Sequence, residues 1–484
     1  MRLDEVAARV RQTVAPGESL AASHFMGDST SKRRLGLVTD LYELTMAASY
    51  RRLGMTDRAT MSLFVRKLPA HRSFLVAVGL GEALDRLERF GFDEAGVEYL
   101  VSTGHLRRED AEALAQTRFT GDVRAVREGS VVFPDEPILE VDAPIIEAQL
   151  AETLLLNAIH FPTLVATKAA RCVAASRGKA VVDFGLRRTP GIQAGFDAAR
   201  ACWIAGFAAT SNVEAGAAFG MPLSGTVAHA FIEAMPDERS AFEAWAGTSA
   251  GPITLLVDTY DTLHGTRIAA ELAHRLRGEG RKLCALRLDS GDLDALSRAA
   301  RKILDDAGLH DVQIFASGGL DEYAIDALVR AGAPIDGFGV GTRIGMSADA
   351  PVLDMAYKIV EYAGRPCLKL SSKKTTLIGP KQVWRRRAKD GRFVEDRVAC
   401  HDEPAPGADW LPLLEPVVRG GRRLARPRLD ELRAFHAREI AALPPDVVAV
   451  DGRAAYPVSL SSELQTRHRA AVHDARVREG LGDA

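Results

Sequence analysis

Between residues 180 and 342, short apolar runs alternate with stretches of helix length, and each run ends in a small or polar residue. The runs are Ala180–Phe184 before Gly185, Ala208-Ala209 before Thr210-Ser211-Asn212, Thr226–Ala228 before His229, and Ile253–Val257 before Asp258. Three more follow: Leu283–Leu288 before Asp289, Val312–Ala316 before Ser317-Gly318-Gly319, and Ile335–Val340 before Gly341-Thr342. This rhythm is a βαβ pattern, and it implies parallel strands joined by helical crossovers. In parallel α/β sheets the strand holds the backbone while its last residue faces the mouth, so polar groups gathered there mark a ligand site. Seven such units favour an irregular, TIM-like parallel α/β barrel over an open sheet.

The flanking segments read differently. At 484 residues the chain exceeds one ordinary core, and two or three units are expected. Residues 1–35 combine a short amphipathic pattern, Pro16-Gly17 and a Ser/Gly/Lys/Arg-rich stretch, and read as a loosely attached extension. Residues 36–150 read as an α+β domain, 151–345 as the catalytic barrel, and 346–484 as a C-terminal segment. The β part of that last segment joins the N-terminal domain in an α+β sandwich, and a charged helical tail follows. Asp40 with Glu43 has the form of a capping box that starts a helix ending near Gly54, which puts Tyr42 in its first turn. The β-type runs Gly121–Ala125, Ser130–Phe133 and Ile138–Val141 predict a small antiparallel unit.

Composition excludes several functions. With 62 basic against 64 acidic side chains, the net charge of −2 supplies no general field for nucleic acid or an anionic membrane. Any phosphate must be held locally. Cys172, Cys202, Cys284, Cys367 and Cys400 are scattered and never in C-x-x-C spacing, which indicates neither a zinc site nor a disulfide framework. Apolar runs of bilayer length are not expected, and Arg2, Asp4, Glu5, Arg9 and Arg11 break the only candidate for a secretory leader. A cytoplasmic protein is expected.

Several strand ends carry chemistry. Arg287 and Asp289, two residues apart, point to the same side of a strand end. Arg287 suits a carboxylate or phosphate, and Asp289 suits ribose hydroxyls or a developing positive ring. The structural explanation is a salt bridge, with Asp292 as a helix cap. Ser317-Gly318-Gly319 and Gly339-Val340-Gly341-Thr342 are two glycine-bearing strand ends that could cradle phosphate on backbone N–H groups, or simply make tight turns. His229, Tyr42 and Phe184 taken singly read as packed side chains, whereas the adjacent Arg187-Arg188 invite an anion if they are buried.

Taken in order, Thr39-Asp40-Leu41-Tyr42-Glu43-Leu44-Thr45-Met46, Phe184-Gly185-Leu186-Arg187-Arg188, Thr210-Ser211-Asn212, Gly225-Thr226-Val227-Ala228-His229, Arg287-Leu288-Asp289-Ser290-Gly291-Asp292 and Gly339-Val340-Gly341-Thr342 resemble the signatures of the nicotinate phosphoribosyltransferase family over roughly residues 36–400. The resemblance implies that Tyr42 and Phe184 sandwich the pyridine ring, Tyr42 coming from the neighbouring subunit of a head-to-tail homodimer. It implies that Arg287 and Thr226 touch nicotinate, and that Arg187, Gly318, Gly319, Gly341 and Thr342 hold the phosphates of phosphoribosyl pyrophosphate. Asp289 and Asp258 would bind ribose, and His229 would be phosphorylated by the co-substrate ATP. Ser211 stands where nicotinamide-using relatives carry an aspartate, and its neutrality suits an acid substrate. Mg²⁺ is expected with the pyrophosphate and ATP. Thr189-Pro190 departs from the family pattern, and the Pro380-Lys381-Gln382-Val383 region, at the end of the basic stretch Lys373–Lys381, resembles the family's late basic loop. The runner-up is a decarboxylating quinolinate phosphoribosyltransferase, whose resemblance centres on Glu147–Thr167. A silent metabolite-binding regulator would lack Arg287, Asp289 or His229, and all three are present.

Overall fold

The computed structural model describes residues 35–370, 376–452 and 454–481. The amphipathic pattern expected at the N-terminus and the lysines near 373 lie outside those residues. The chain divides into two compact units, one built on Lys168–Pro351 and the other on the segments before and after it.

In the first unit the expected parallel strands form as β1 (Ala180–Asp183), β2 (Ala209–Thr210), β3 (Ile253–Leu256), β4 (Leu283–Leu288), β5 (Gln313–Ala316) and β6 (Gly337–Val340). They make one sheet in the order β2-β1-β6-β5-β4-β3, curled into a half barrel. Register aligns the carboxyl ends: Asp183 lies beside Thr210 and Val340, and Ala316 beside Leu288 and Phe338. Val181, Leu286, Ile314 and Phe338 are fully buried within it, as strands covered on both faces require.

The seventh expected strand, Thr226–Ala228, does not form. Leu223 makes a single parallel bridge to Thr210, Ser224 N–H donates to the Thr210 carbonyl at 3.0 Å, and the chain then leaves the ladder. β2 is only two residues long and offers no further edge, so Thr226 is free to turn its hydroxyl toward β4. The barrel is therefore open in its hydrogen bonding between β2 and β3. Short polar caps start the helices that leave the strand ends: Asn212, Asp261, Asp292 and Asp321 each accept a backbone N–H of the first turn.

The second unit interleaves N- and C-terminal strands, as expected of an α+β domain made from both. Its seven-stranded sheet places Arg58–Val65 antiparallel between Met355–Tyr362 and Pro137–Pro144. The small antiparallel unit is formed only in part. Asp122–Ala125 pairs with Pro137–Pro144, but Val131–Val132 turns away to pair with Leu75–Val76. Gly129, at φ +95° and donating to the Ala77 carbonyl at 2.8 Å, makes that departure possible.

Helix Leu41–Arg52 ends at Gly54 as the sequence indicates. Asp40 precedes it without a side-chain cap bond: its carbonyl accepts Glu43 N–H at 3.0 Å, and the buried Glu43 carboxylate is taken up by the hydroxyls of Thr39 and Thr153. The stretch Ile145–Ser176 is, against expectation, long and apolar enough to cross a bilayer by length and composition. Most of it is buried inside the protein, which accounts for its apolar surface.

Candidate active site

The mouth of β4 and β5 holds a connected polar network. Arg287 is the next-to-last residue of β4, and its guanidinium is held on three sides. Nε donates to Ser317 Oγ at 2.8 Å, Nη1 to Thr226 Oγ1 at 2.9 Å, and Nη2 to Asp289 Oδ1 at 2.7 Å. The Ser317 hydroxyl also donates to Asp289 Oδ1. The salt bridge and the Asp292 cap expected on structural grounds are thus both present, the cap accepting Ala295 N–H at 3.1 Å. A guanidinium fixed this way loses little freedom when it meets an anion.

The next strand end toward the sheet edge adds a second carboxylate. Asp258 Oδ2 accepts Asp289 N–H at 3.0 Å and the Ser290 hydroxyl, tying the two loops together. His229 opens the short helix His229–Glu233 with its side chain 40% exposed, so it is not the packed histidine of the structural reading. Its Nδ1 lies 3.1 Å from Thr259 Oγ1 and its Nε2 3.9 Å from Asp289 Oδ2. Thr226, His229, Asp258, Arg287 and Asp289 therefore form one constellation.

Phe184, just past β1, faces the same guanidinium, with Arg287 Cζ 5.3 Å from its ring centroid. The ring fits because β6 carries glycine where it passes: a Cβ on Gly339 would lie 2.5 Å from Phe184 Cε2 and 3.1 Å from Phe315 Cε1. Gly339 is thus a space-making strand glycine, not a turn or phosphate glycine. Gly339→Ala is expected to displace the Phe184 ring and raise the KM for an aromatic substrate by about tenfold, equivalent to roughly 1.4 kcal/mol. Steady-state kinetics with the second substrate as control check this; an unchanged KM would contradict the ring's assignment.

Asp183, not singled out from the sequence, sets the backbone here. It is almost fully buried, accepts Gly185 N–H at 2.7 Å and the Thr210 hydroxyl at 2.8 Å, and its carbonyl accepts Ser211 N–H at 2.8 Å. Burial pushes its pKa up, against the pull of those two donors. Its signal was its place as the last residue of a strand. Thr259 carried a weaker signal, since it adjoins Asp258, whereas Ser317 already stood in the strand end Ser317-Gly318-Gly319.

Of the remaining candidates, Gly318 and Gly341 adjoin this constellation. Ser211 sits half-buried at the end of β2. Gly318 and Gly319 are exposed in the left-handed region (φ +94° and +68°), and a Cβ on Gly318 would fall 1.8 Å from the Asp289 carbonyl oxygen. Only glycine allows that approach of β5's loop to β4's. Gly341 precedes the single turn Thr342–Gly345 and lies against the Phe184 carbonyl, with Thr342 exposed. Arg187 and Arg188 are exposed on a 3-10 turn, so the cost of burying them unpaired does not arise. In the second unit Tyr42 presents a ring 46% exposed, and burial together with Glu152 and Glu43 holds its phenol protonated. Lys381 is not a loop lysine: it lies buried in a strand, 3.2 Å from Glu140 Oε1 and 2.7 Å from the Gly379 carbonyl.

Comparison with known proteins identifies the family of this chain. The family model described as nicotinate phosphoribosyltransferase (NAPRTase) N-terminal domain matches residues 37–160, and the corresponding C-terminal domain model matches residues 407–467. A nicotinate phosphoribosyltransferase of Mycobacterium tuberculosis is 48% identical over 431 residues, covering 88% of this chain and 92% of that one. One from Bacillus subtilis is 36% identical over 478 residues, covering 92% and 96%. The crystal structure of human nicotinic acid phosphoribosyltransferase shares the fold at a TM-score of 0.80, with 29% identity over 89% of this chain and 99% of that one.

Proposed function

Because the chain belongs to the nicotinate phosphoribosyltransferase family, we propose that it joins nicotinate to 5-phosphoribosyl 1-pyrophosphate, releasing nicotinate mononucleotide and pyrophosphate. The observation that carries this reading is the Arg287 guanidinium, fixed by Ser317, Thr226 and Asp289 beside the Phe184 ring. A planar acid laid on that ring with its carboxylate on Arg287 has its nitrogen oriented by two independent contacts.

The reaction needs pinned reactants and fixed charges more than covalent help from the protein. The ring nitrogen donates its pair to C1 of the ribose while the C1–O bond to pyrophosphate breaks, and that electron pair leaves with pyrophosphate. Asp289 and Asp258 hold the ribose hydroxyls, and their charge favours the oxocarbenium-like state between. Gly318, Gly319, Gly341, Thr342 and Arg187 receive the phosphates on backbone N–H groups and an exposed guanidinium. Magnesium enters with the pyrophosphate, whose oxygens it prefers.

ATP is the co-substrate, and His229 is the group it modifies. In the tautomer that donates Nδ1–H to Thr259, 3.1 Å away, Nε2 keeps its lone pair and takes the γ-phosphoryl group as ADP departs. The later loss of that phosphoryl group to water couples ATP hydrolysis to substrate affinity. Tyr42 closes the pyridine site from the second subunit of a homodimer in the cytoplasm.

The decarboxylating alternative is not favoured, since the curated relatives carry the nicotinate name over most of both chains. Nicotinate and quinolinate offered separately with magnesium phosphoribosyl pyrophosphate, with and without ATP, test the choice. Transfer to nicotinate that ATP stimulates is expected; carbon dioxide release from quinolinate at a comparable rate would reverse the assignment.

A further inference from the structure

Against the loop that follows β3 lies a carboxyl group that the reaction above does not use. Glu238 is the first residue of helix Glu238–Thr248, behind the cap residue Asp237. Its side chain is 5% exposed, and neither oxygen receives a hydrogen bond from any described residue. Oε1 lies 3.2 Å from where a Cβ on Gly265 would sit, and that same Cβ would be 2.5 Å from the Val257 carbonyl oxygen. Glu238 is therefore wedged at the joint where β3 passes into Asp258–Asp261.

Its charged neighbours make ionisation unfavourable. The groups acting on it by charge are Asp261 and then Asp258, both carboxylates on that loop. The cations of the packed elements are engaged or outside: Arg239 pairs with Glu271 at 2.6 Å, Arg275 pairs with Glu243, and His264 and Arg267 are exposed. On the helix before it, His229 is turned to Thr259, and Glu233 is exposed. Asp258 Oδ1 is also buried without a donor among the described residues, so this side of the loop is short of hydrogen. A buried carboxylate with no donor, facing two others, keeps its proton. Burial first, then Asp261 and Asp258, raise its pKa to about 7.

We propose that Glu238 is a positioning residue of the transfer site: in its protonated form it supports the loop Asp258–Asp261, keeping Asp258 on Asp289 and Thr259 on His229. Losing the proton sets three negative charges against one another and pushes that loop out of place. The proposal rests on the reading that Asp258, Asp289 and His229 serve the transfer.

The test is the kcat of wild type, Glu238→Gln and Glu238→Leu at saturating substrates between pH 6 and 8.5, with thermal midpoints at each pH. Both variants are permanently neutral, and substrate titration cancels in the ratio of variant to wild type. That ratio is expected to rise about tenfold from pH 6 to 8.5, as the wild type alone loses a proton. In stability the sign is also fixed. A carboxyl raised in the fold contributes fully below its ordinary range near 4.5 and loses that contribution as pH rises through about 7. The midpoint of Glu238→Gln is therefore expected to gain on the wild type between pH 5 and 8. An active wild type with a ratio constant across pH in both variants overturns the positioning role. A wild type with no transfer activity at any pH overturns the functional reading itself.

Discussion

Arg287→Ala is expected to lower kcat/KM for nicotinate by about thirtyfold to a few thousandfold while barely changing the far weaker use of nicotinamide. A charge pair in a partly desolvated pocket, broken by removing one partner, costs about 2–5 kcal/mol, and each 1.4 kcal/mol is about tenfold. The loss is selective because only the acid presents a carboxylate to the guanidinium. The fixation of Arg287 by three neighbours strengthens the expectation, since a pre-oriented fork meets its partner without first being ordered. Arg287→Lys keeps the charge but cannot hold Ser317, Thr226 and Asp289 together, and is expected to fall between wild type and alanine. Kinetics with both pyridines measure the effect; a parallel loss for acid and amide would show that Arg287 supports the site without reading the carboxylate.

His229→Ala is expected to uncouple the enzyme. ATP hydrolysis and ATP stimulation disappear, while slow transfer from phosphoribosyl pyrophosphate persists, because Arg287, Asp289 and Phe184 still bind and orient the reactants. The imidazole is 40% exposed at a helix start, so its removal leaves no cavity and the thermal midpoint is expected to hold. A packed histidine would behave oppositely, with lower stability and all activities falling together. A well-folded variant still fully stimulated by ATP would refute the phosphoryl role.

Much of this fold is written locally. Strands that run apolar and stop at a polar residue are visible from sequence because the change of character is abrupt, and six of the seven expected parallel strands form at nearly the expected bounds. Thr226–Ala228 has the same local look, but a strand needs a neighbour. Whether β2 is long enough to provide one is decided by residues far away. Asp292 and Asp40 make the same point. Both look like caps, yet only the Asp292 side chain accepts a first-turn N–H; Glu43 N–H goes to the Asp40 carbonyl instead, and the Glu43 carboxylate that should close the box is drawn off by a hydroxyl 110 positions along.

The site divides along the same line. Arg287, Asp289 and His229 were legible as residue types at strand ends. The bonds that fix Arg287 were not, because Thr226 and Ser317 meet it across 61 and 30 positions. Gly339 reads as a turn glycine until the Phe184 ring is found against it. Glu238 reads as an ordinary acidic residue at a helix start, where the helix dipole favours one; only the packing of Gly265 and Val257 shows it buried. For Arg187 and Arg188 the condition of burial is not met, since the fold leaves both exposed.

The most direct measurement is phosphorus resonance spectroscopy of the purified protein with nicotinate and magnesium phosphoribosyl pyrophosphate, without ATP and then with it. The account predicts that nicotinate mononucleotide and pyrophosphate appear in equal amounts as phosphoribosyl pyrophosphate disappears, faster once ATP is added. Phosphoribosyl pyrophosphate that stays intact in the presence of nicotinate, or that is hydrolysed without forming the mononucleotide, would contradict it.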